Sequence, residues 1–182
     1  DVADRTDGET RFTQVISLSA MCVTSLHPHP QYDWYWPQTF HDGLHAEGES
    51  DVIMLSRAGY AGSWRFGAAV WSGDTGSDFE TLRFLVRAGV SAQISGVAWW
   101  TTDIGGYTTR GNHSDPRYSE VIIRWFQYGL TCPIMRQHGM ERETAIWAYG
   151  PVAEQLIGET IKLRASLKAY VLGELRKTAD TG

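Results

Sequence analysis

Cysteine is scarce in this chain of 182 residues. The two that occur, Cys22 and Cys132, lie far apart, and Cys132 sits in an apolar run where a free buried thiol is the common state. No disulfide framework is expected. Basic residues are also few, 16 against 21 acidic for a formal charge of −5, and no run of Lys or Arg occurs. That leaves no electrostatic footprint for nucleic acid or an anionic membrane. No apolar stretch approaches the ~18 residues of a membrane span, and no charged-then-apolar leader opens the chain. The histidines at 27, 29, 41, 45, 113 and 138 show neither HExxH nor CxxC spacing, and "HPHP" is broken by prolines, so no metal centre is expected. A GxSxG elbow, a P-loop and a GxGxxG after a strand are all missing, which removes serine-hydrolase and nucleotide chemistry.

What the sequence does have is a regular alternation from residue 51 onward. The runs "VIML" (52–55), "AAVW" (68–71), "ISGVAWW" (94–100) and "LTCPIM" (130–135) are continuously apolar, as in parallel strands covered on both faces. Helical patterns lie between them. Ser77 with Glu80 makes a capping box, Phe79, Leu82, Leu85 and Val86 form a stripe, and Gly89 reads as the stop, predicting a helix over 78–88. Asp115-Pro116 opens a second, about 116–128, with Val121, Ile122, Trp125 and Phe126 on its apolar face. Pro151 opens a third, with Val152, Leu156, Leu163, Leu167 and Tyr170 along one stripe to about 176. Strands alternating with helices predict an α/β fold with right-handed crossovers. Residues 1–50 are less regular. "TQVISLSAMCV" reads as strand or helix, "HPHPQYDWYWP" as a proline-broken loop, and "TFHDGLHAEGE" as a short helix and turn.

Each apolar run ends in a polar group: Arg57 after the first, Asp74 after the second, Asp103 after the third and Arg136-Gln137-His138 after the fourth. In parallel α/β folds these carboxyl ends share one face, the face that carries the active site in (β/α)8 barrels. Singly, each residue has a plainer reading: turn or cap for the two aspartates, a structural histidine, a surface arginine, core tryptophans at 71, 99 and 100. Together those readings require four coincidences at the same end of four strands.

Two carboxylates, an arginine, a histidine and tryptophans suit a sugar. Aromatic faces pack on a pyranose, and polar groups bond its hydroxyls. Cleaving a glycosidic bond takes one carboxylic acid to protonate the leaving oxygen and a second carboxylate at the oxocarbenium-like centre. An acid that stays protonated at neutral pH needs a raised pKa, which an apolar wall such as Trp71 would supply.

The stretch "SRAGYAGSWRFGAAVWSGDTGSDFETLRFLVRAGVSAQISGVAWWTTDIGGY", with "RWFQYGLTCPIMRQHG" and "WAYG" after it, closely resembles the second half of the catalytic barrel of glycoside hydrolase family 31, which includes α-glucosidases and α-xylosidases. The resemblance implies a partial (β/α)8 TIM barrel and a retaining α-glycosidase acting on a carbohydrate, without cofactor. It implies Asp74 as acid/base, with Arg57, Trp71, Asp103, Tyr107 and His138 around the cleaved sugar. The similarity runs over roughly 35–176, giving a glycosidase barrel segment over 35–182 and a poorly matching segment over 1–34, the latter a truncated barrel strand and loop. The family's nucleophile follows a pattern like "WLDxxEPE", of which this chain has no complete copy. Either Asp1 is that aspartate with its strand cut away, or the nucleophile is missing and the chain is a fragment that binds sugar without cleaving it. A purely structural α/β unit whose rim residues cap turns is the third alternative.

Overall fold

The computed structural model describes residues 32–108, 116–139 and 144–181. Its elements, in chain order, are α1 (Tyr32–Ala46), β1 (Met54–Ser56), a 3-10 turn (Ser63–Phe66), β2 (Ala68–Trp71), α2 (Phe79–Ile94), β3 (Trp100–Thr101), α3 (Pro116–Gly129), a second 3-10 turn (Ile146–Tyr149), α4 (Pro151–Ser166) and α5 (Lys168–Thr181). The strands form one parallel sheet in the order β1-β2-β3. Ser56 is level with Val70, and Val70 with Trp100. Ile104 forms a further parallel bridge to Gln137, which adds a fourth chain segment to the same row. A parallel row with helices between its members fits part of an α/β barrel, as the alternation predicts.

The run 68–71 is strand throughout, whereas its neighbours are displaced. The first strand is Met54–Ser56 rather than 52–55, and the third begins only at Trp100. Ile94 instead closes α2, and Gly96, at φ 92, makes the turn that follows. The fourth run, 130–135, forms turns; its Ile134 N–H donates to the Trp100 carbonyl at 3.3 Å, and the β-bridge forms after the run, at Gln137.

Helix α2 differs from its sequence reading at both ends. Its N-cap is Asp78, whose Oδ1 accepts from the Thr81 backbone N–H at 2.7 Å. Ser77, one residue earlier, donates its hydroxyl to the Thr108 carbonyl at 2.8 Å. Gly89 does not stop the helix. A Cβ there would lie 2.7 Å from Trp100 Nε1 and closer still to the Tyr128 hydroxyl, so the glycine lets α2 approach β3 and α3. Those two side chains are themselves joined, Trp100 Nε1 donating to Tyr128 at 3.2 Å and the Tyr128 hydroxyl to the Leu85 carbonyl at 3.1 Å.

Helix α3 matches its expected span closely and supplies the centre of the core. Tyr118, Val121, Ile122, Trp125 and Phe126 recur at helical spacing and are all buried. They pack with Leu82 and Leu85 of α2, Ile104, Tyr149, and Ala153 and Ile157 of α4. The expected single helix from Pro151 is two, divided at Leu167. Its expected stripe is not the buried face: Val152, Leu163 and Tyr170 are exposed, while Ala153, Ile157 and Thr160 face inward. That inward face meets the core side chains of α3, Ala153 and Ile157 packing with Val121, Ile122 and Trp125 in one cluster.

The stretch read as a proline-broken loop is helical from Tyr32. Pro37 lies inside α1, buried with Phe40. Trp34 packs edge-on to Phe66 at 5.1 Å, which ties α1 to the 3-10 turn before β2. Among the described residues no helix is long and apolar enough to cross a membrane. Cys132 is a buried free thiol, and burial pushes its pKa up to about 11. Cys22 lies outside the described residues.

Candidate active site

The register delivers the expected residues to one rim. Arg57 follows the last residue of β1, Trp71 ends β2 level with Thr101, and Asp103 lies two residues beyond β3. Gly73, at φ 74, turns the chain after β2 and sets Asp74 on the rim. There the Asp74 Oδ2 lies 3.7 Å from Arg57 Nη1, with the arginine side chain 73% and the aspartate 38% exposed. An ion pair this open contributes little to stability. The two groups are held near each other yet accessible to a ligand.

The loops carrying these residues are bound together. The Thr75 carbonyl accepts from the backbone N–H of Tyr107 at 3.0 Å and of Thr108 at 3.1 Å. Gly106, at φ 78, packs so tightly on Gly76 that a Cβ would lie 2.7 Å from its carbonyl carbon. The loop after β2 and the loop after β3 therefore form one unit. Tyr107, carried on it, stacks on His138 with ring centroids 5.5 Å apart and planes at 28°. Trp125 fixes the same region from beneath, donating its indole N–H to the buried Thr102 hydroxyl at 2.9 Å.

Asp103 is the exception to the open rim, because its side chain has no exposed surface. Arg136 Nη2 donates to its Oδ1, while its Oδ2 has no hydrogen-bond partner among the described residues. Burial raises the carboxyl pKa above its usual range. The positive charges of Arg136 and His138 oppose that rise, and Asp74 adds to it. Arg136 is the residue that sequence reasoning passed over in favour of His138. Residues two apart on an extended segment point to the same side, so the spacing of Arg136 and His138 was the available signal. The Ile104 N–H donates to the Arg136 carbonyl at 3.1 Å, fixing that segment beside the third.

Arg57, Trp71, Asp74, Asp103, Tyr107 and His138 thus gather at one end of the sheet, five of them at least partly exposed and Asp103 beneath Arg136. Asp1 lies outside the described residues. A separate cleft of about 600 Å³ opens at the opposite end of β3, beside Gly96 and Ala98, and shares no residue with the rim.

Known proteins are similar to this chain in sequence and in fold. An uncharacterized family 31 glucosidase of Pseudescherichia vulneris is 46% identical over 109 residues, covering 60% of this chain and 20% of that protein. An alpha-xylosidase of Saccharolobus solfataricus is 37% identical over 131 residues, 72% of this chain and 18% of its own length. A family 31 alpha-xylosidase from a soil metagenome, solved with xylose, superposes with a TM-score of 0.79 at 35% identity, covering 83% of this chain and 25% of that one. The chain spans about a fifth of the length of the curated relatives it matches. The sequence model of the Glycosyl hydrolases family 31 TIM-barrel domain matches residues 5–173, and the chain belongs to that family.

Proposed function

We propose that this chain is the second half of the catalytic barrel of a retaining α-glycosidase that cleaves α-xylosides or α-glucosides. The observation that carries the reading is the placement of Asp74 on the strand-end rim, 3.7 Å from Arg57. Asp74 protonates the departing glycosidic oxygen while a carboxylate nucleophile attacks the anomeric carbon. It then takes a proton from the water that releases the sugar. Asp1 is the proposed nucleophile. Arg57 and His138 bond hydroxyls of the cleaved sugar, and Trp71 and Tyr107 wall its apolar faces. Asp103 acts from below, holding the Arg136 guanidinium. The names of the relatives, which include alpha-xylosidases and probable glucan 1,3-alpha-glucosidases, support the choice of sugars.

The test is turnover of aryl α-xylosides and α-glucosides whose leaving groups need protonation. Asp74→Asn should lower kcat by roughly 10²–10⁴-fold, the usual contribution of a positioned general acid and base. Undiminished turnover in that variant would remove Asp74 from the role. Binding of xylose or glucose without turnover of even the most activated glycoside would favour the sugar-binding fragment.

A further inference from the structure

His41 and His45 fall in the stretch "TFHDGLHAEGE", which reads from sequence as a short helix and turn. In α1 they stand one helical turn apart, with Nε2 atoms 3.0 Å from each other and ring centroids 4.2 Å apart. His41 Nδ1 lies 3.0 Å from Asp42 Oδ1. A carboxylate can only accept, so Nδ1 carries the proton and the neutral ring keeps its lone pair on Nε2, the atom that faces His45. Phe66 meets the His41 ring at 5.6 Å and 67°, holding it from the sheet side.

Imidazole nitrogens bind divalent metals at about 2.0–2.1 Å. Two such ligands at a right angle are about 3.0 Å apart, whereas a tetrahedral pair is about 3.4 Å apart on the same bond length. The observed separation therefore fits adjacent positions of a square-planar or octahedral centre. We propose that His41 and His45 form a two-imidazole binding site for a divalent transition metal of tetragonal preference, Cu²⁺ or Ni²⁺, with water completing the coordination. Asp42 is the outer partner that fixes the His41 tautomer, as carboxylates do for metal-bound histidines. The site is remote in role from the sugar rim and makes no claim on catalysis. Its effect is to staple one turn of α1, the helix that braces Phe66 through Trp34.

The test is calorimetric titration of the chain with Cu²⁺ alone and, separately, with Zn²⁺. One equivalent of Cu²⁺ should bind more tightly than Zn²⁺. His45→Ala, at an exposed position of α1 and with unchanged far-ultraviolet circular dichroism, should weaken that equivalent by at least tenfold, and Asp42→Asn by roughly tenfold. Equal Cu²⁺ affinity in wild type and His45→Ala would overturn the proposal, since the metal would then be held by other groups and the 3.0 Å contact would be an ordinary hydrogen bond between two rings.

Discussion

Replacing Arg136 by Met keeps an unbranched stem and removes the charge from beside a carboxylate that has no exposed surface. Asp103 then has two courses. It can remain ionised and unpaired, and removing one partner of a buried pair typically costs about 3–5 kcal/mol. Otherwise it takes up a proton. Protonating a carboxyl of ordinary pKa 3.8 at pH 7 costs about 1.36 kcal/mol for each pH unit above that value, or about 4.4 kcal/mol. The cheaper course governs, so the loss should be about 3 kcal/mol and should not exceed about 4.4 kcal/mol at pH 7. At pH 5 the same arithmetic caps it at about 1.6 kcal/mol. The sign follows from linkage: a carboxyl whose pKa is raised on folding contributes most below its unfolded value of 3.8, and that contribution is lost as pH rises through the raised value. Urea denaturation of wild type and Arg136→Met at both pH values measures the effect. Arg136→Lys should recover most of the loss by restoring a charge. A cost below about 1 kcal/mol at pH 7, or one that is the same at pH 5, would refute the assignment of Asp103 as a buried carboxylate held by Arg136.

Gly89→Ala should destabilise the chain by about 1–2 kcal/mol, because crowding the Trp100–Tyr128 pair outweighs the roughly 1 kcal/mol that alanine gains in a helix interior. A rise in melting temperature would mean that α2 can move away without loss. Asp78→Ala should cost about 1 kcal/mol through the missing cap on Thr81, and denaturation of Ser77→Ala alongside it separates the observed cap from the one the sequence suggests.

Arg57, Asp74, Asp103 and His138 could be assigned to a common rim before any coordinates, because each follows a continuously apolar run and parallel strands place their carboxyl ends together. The four-residue β2 and the helix opening at Pro116 were legible for the same local reason: period and punctuation agree with burial there. Gly89 was misread because a glycine that ends a helix and a glycine that admits a neighbouring side chain look alike in sequence, and Trp100 and Tyr128 lie 11 and 39 residues further on. The stripe of Val152, Leu156 and Leu163 failed similarly. The face α4 buries, Ala153, Ile157 and Thr160, is set by where tertiary packing places α3 and not by the spacing of the apolar residues along the helix.

The sequence by itself determined the alternation of strands and helices, the end of the sheet at which Arg57, Asp74, Asp103 and His138 gather, and the identity of those residues, since all three follow from local pattern and chain direction. Tertiary structure alone decided that Asp103 is sealed beneath Arg136 while Asp74 stays open beside Arg57. Burial of a carboxylate depends on which side chain from another strand reaches it, and Arg136, 33 residues away in the chain, becomes its neighbour only when the segment at Gln137 pairs with Ile104.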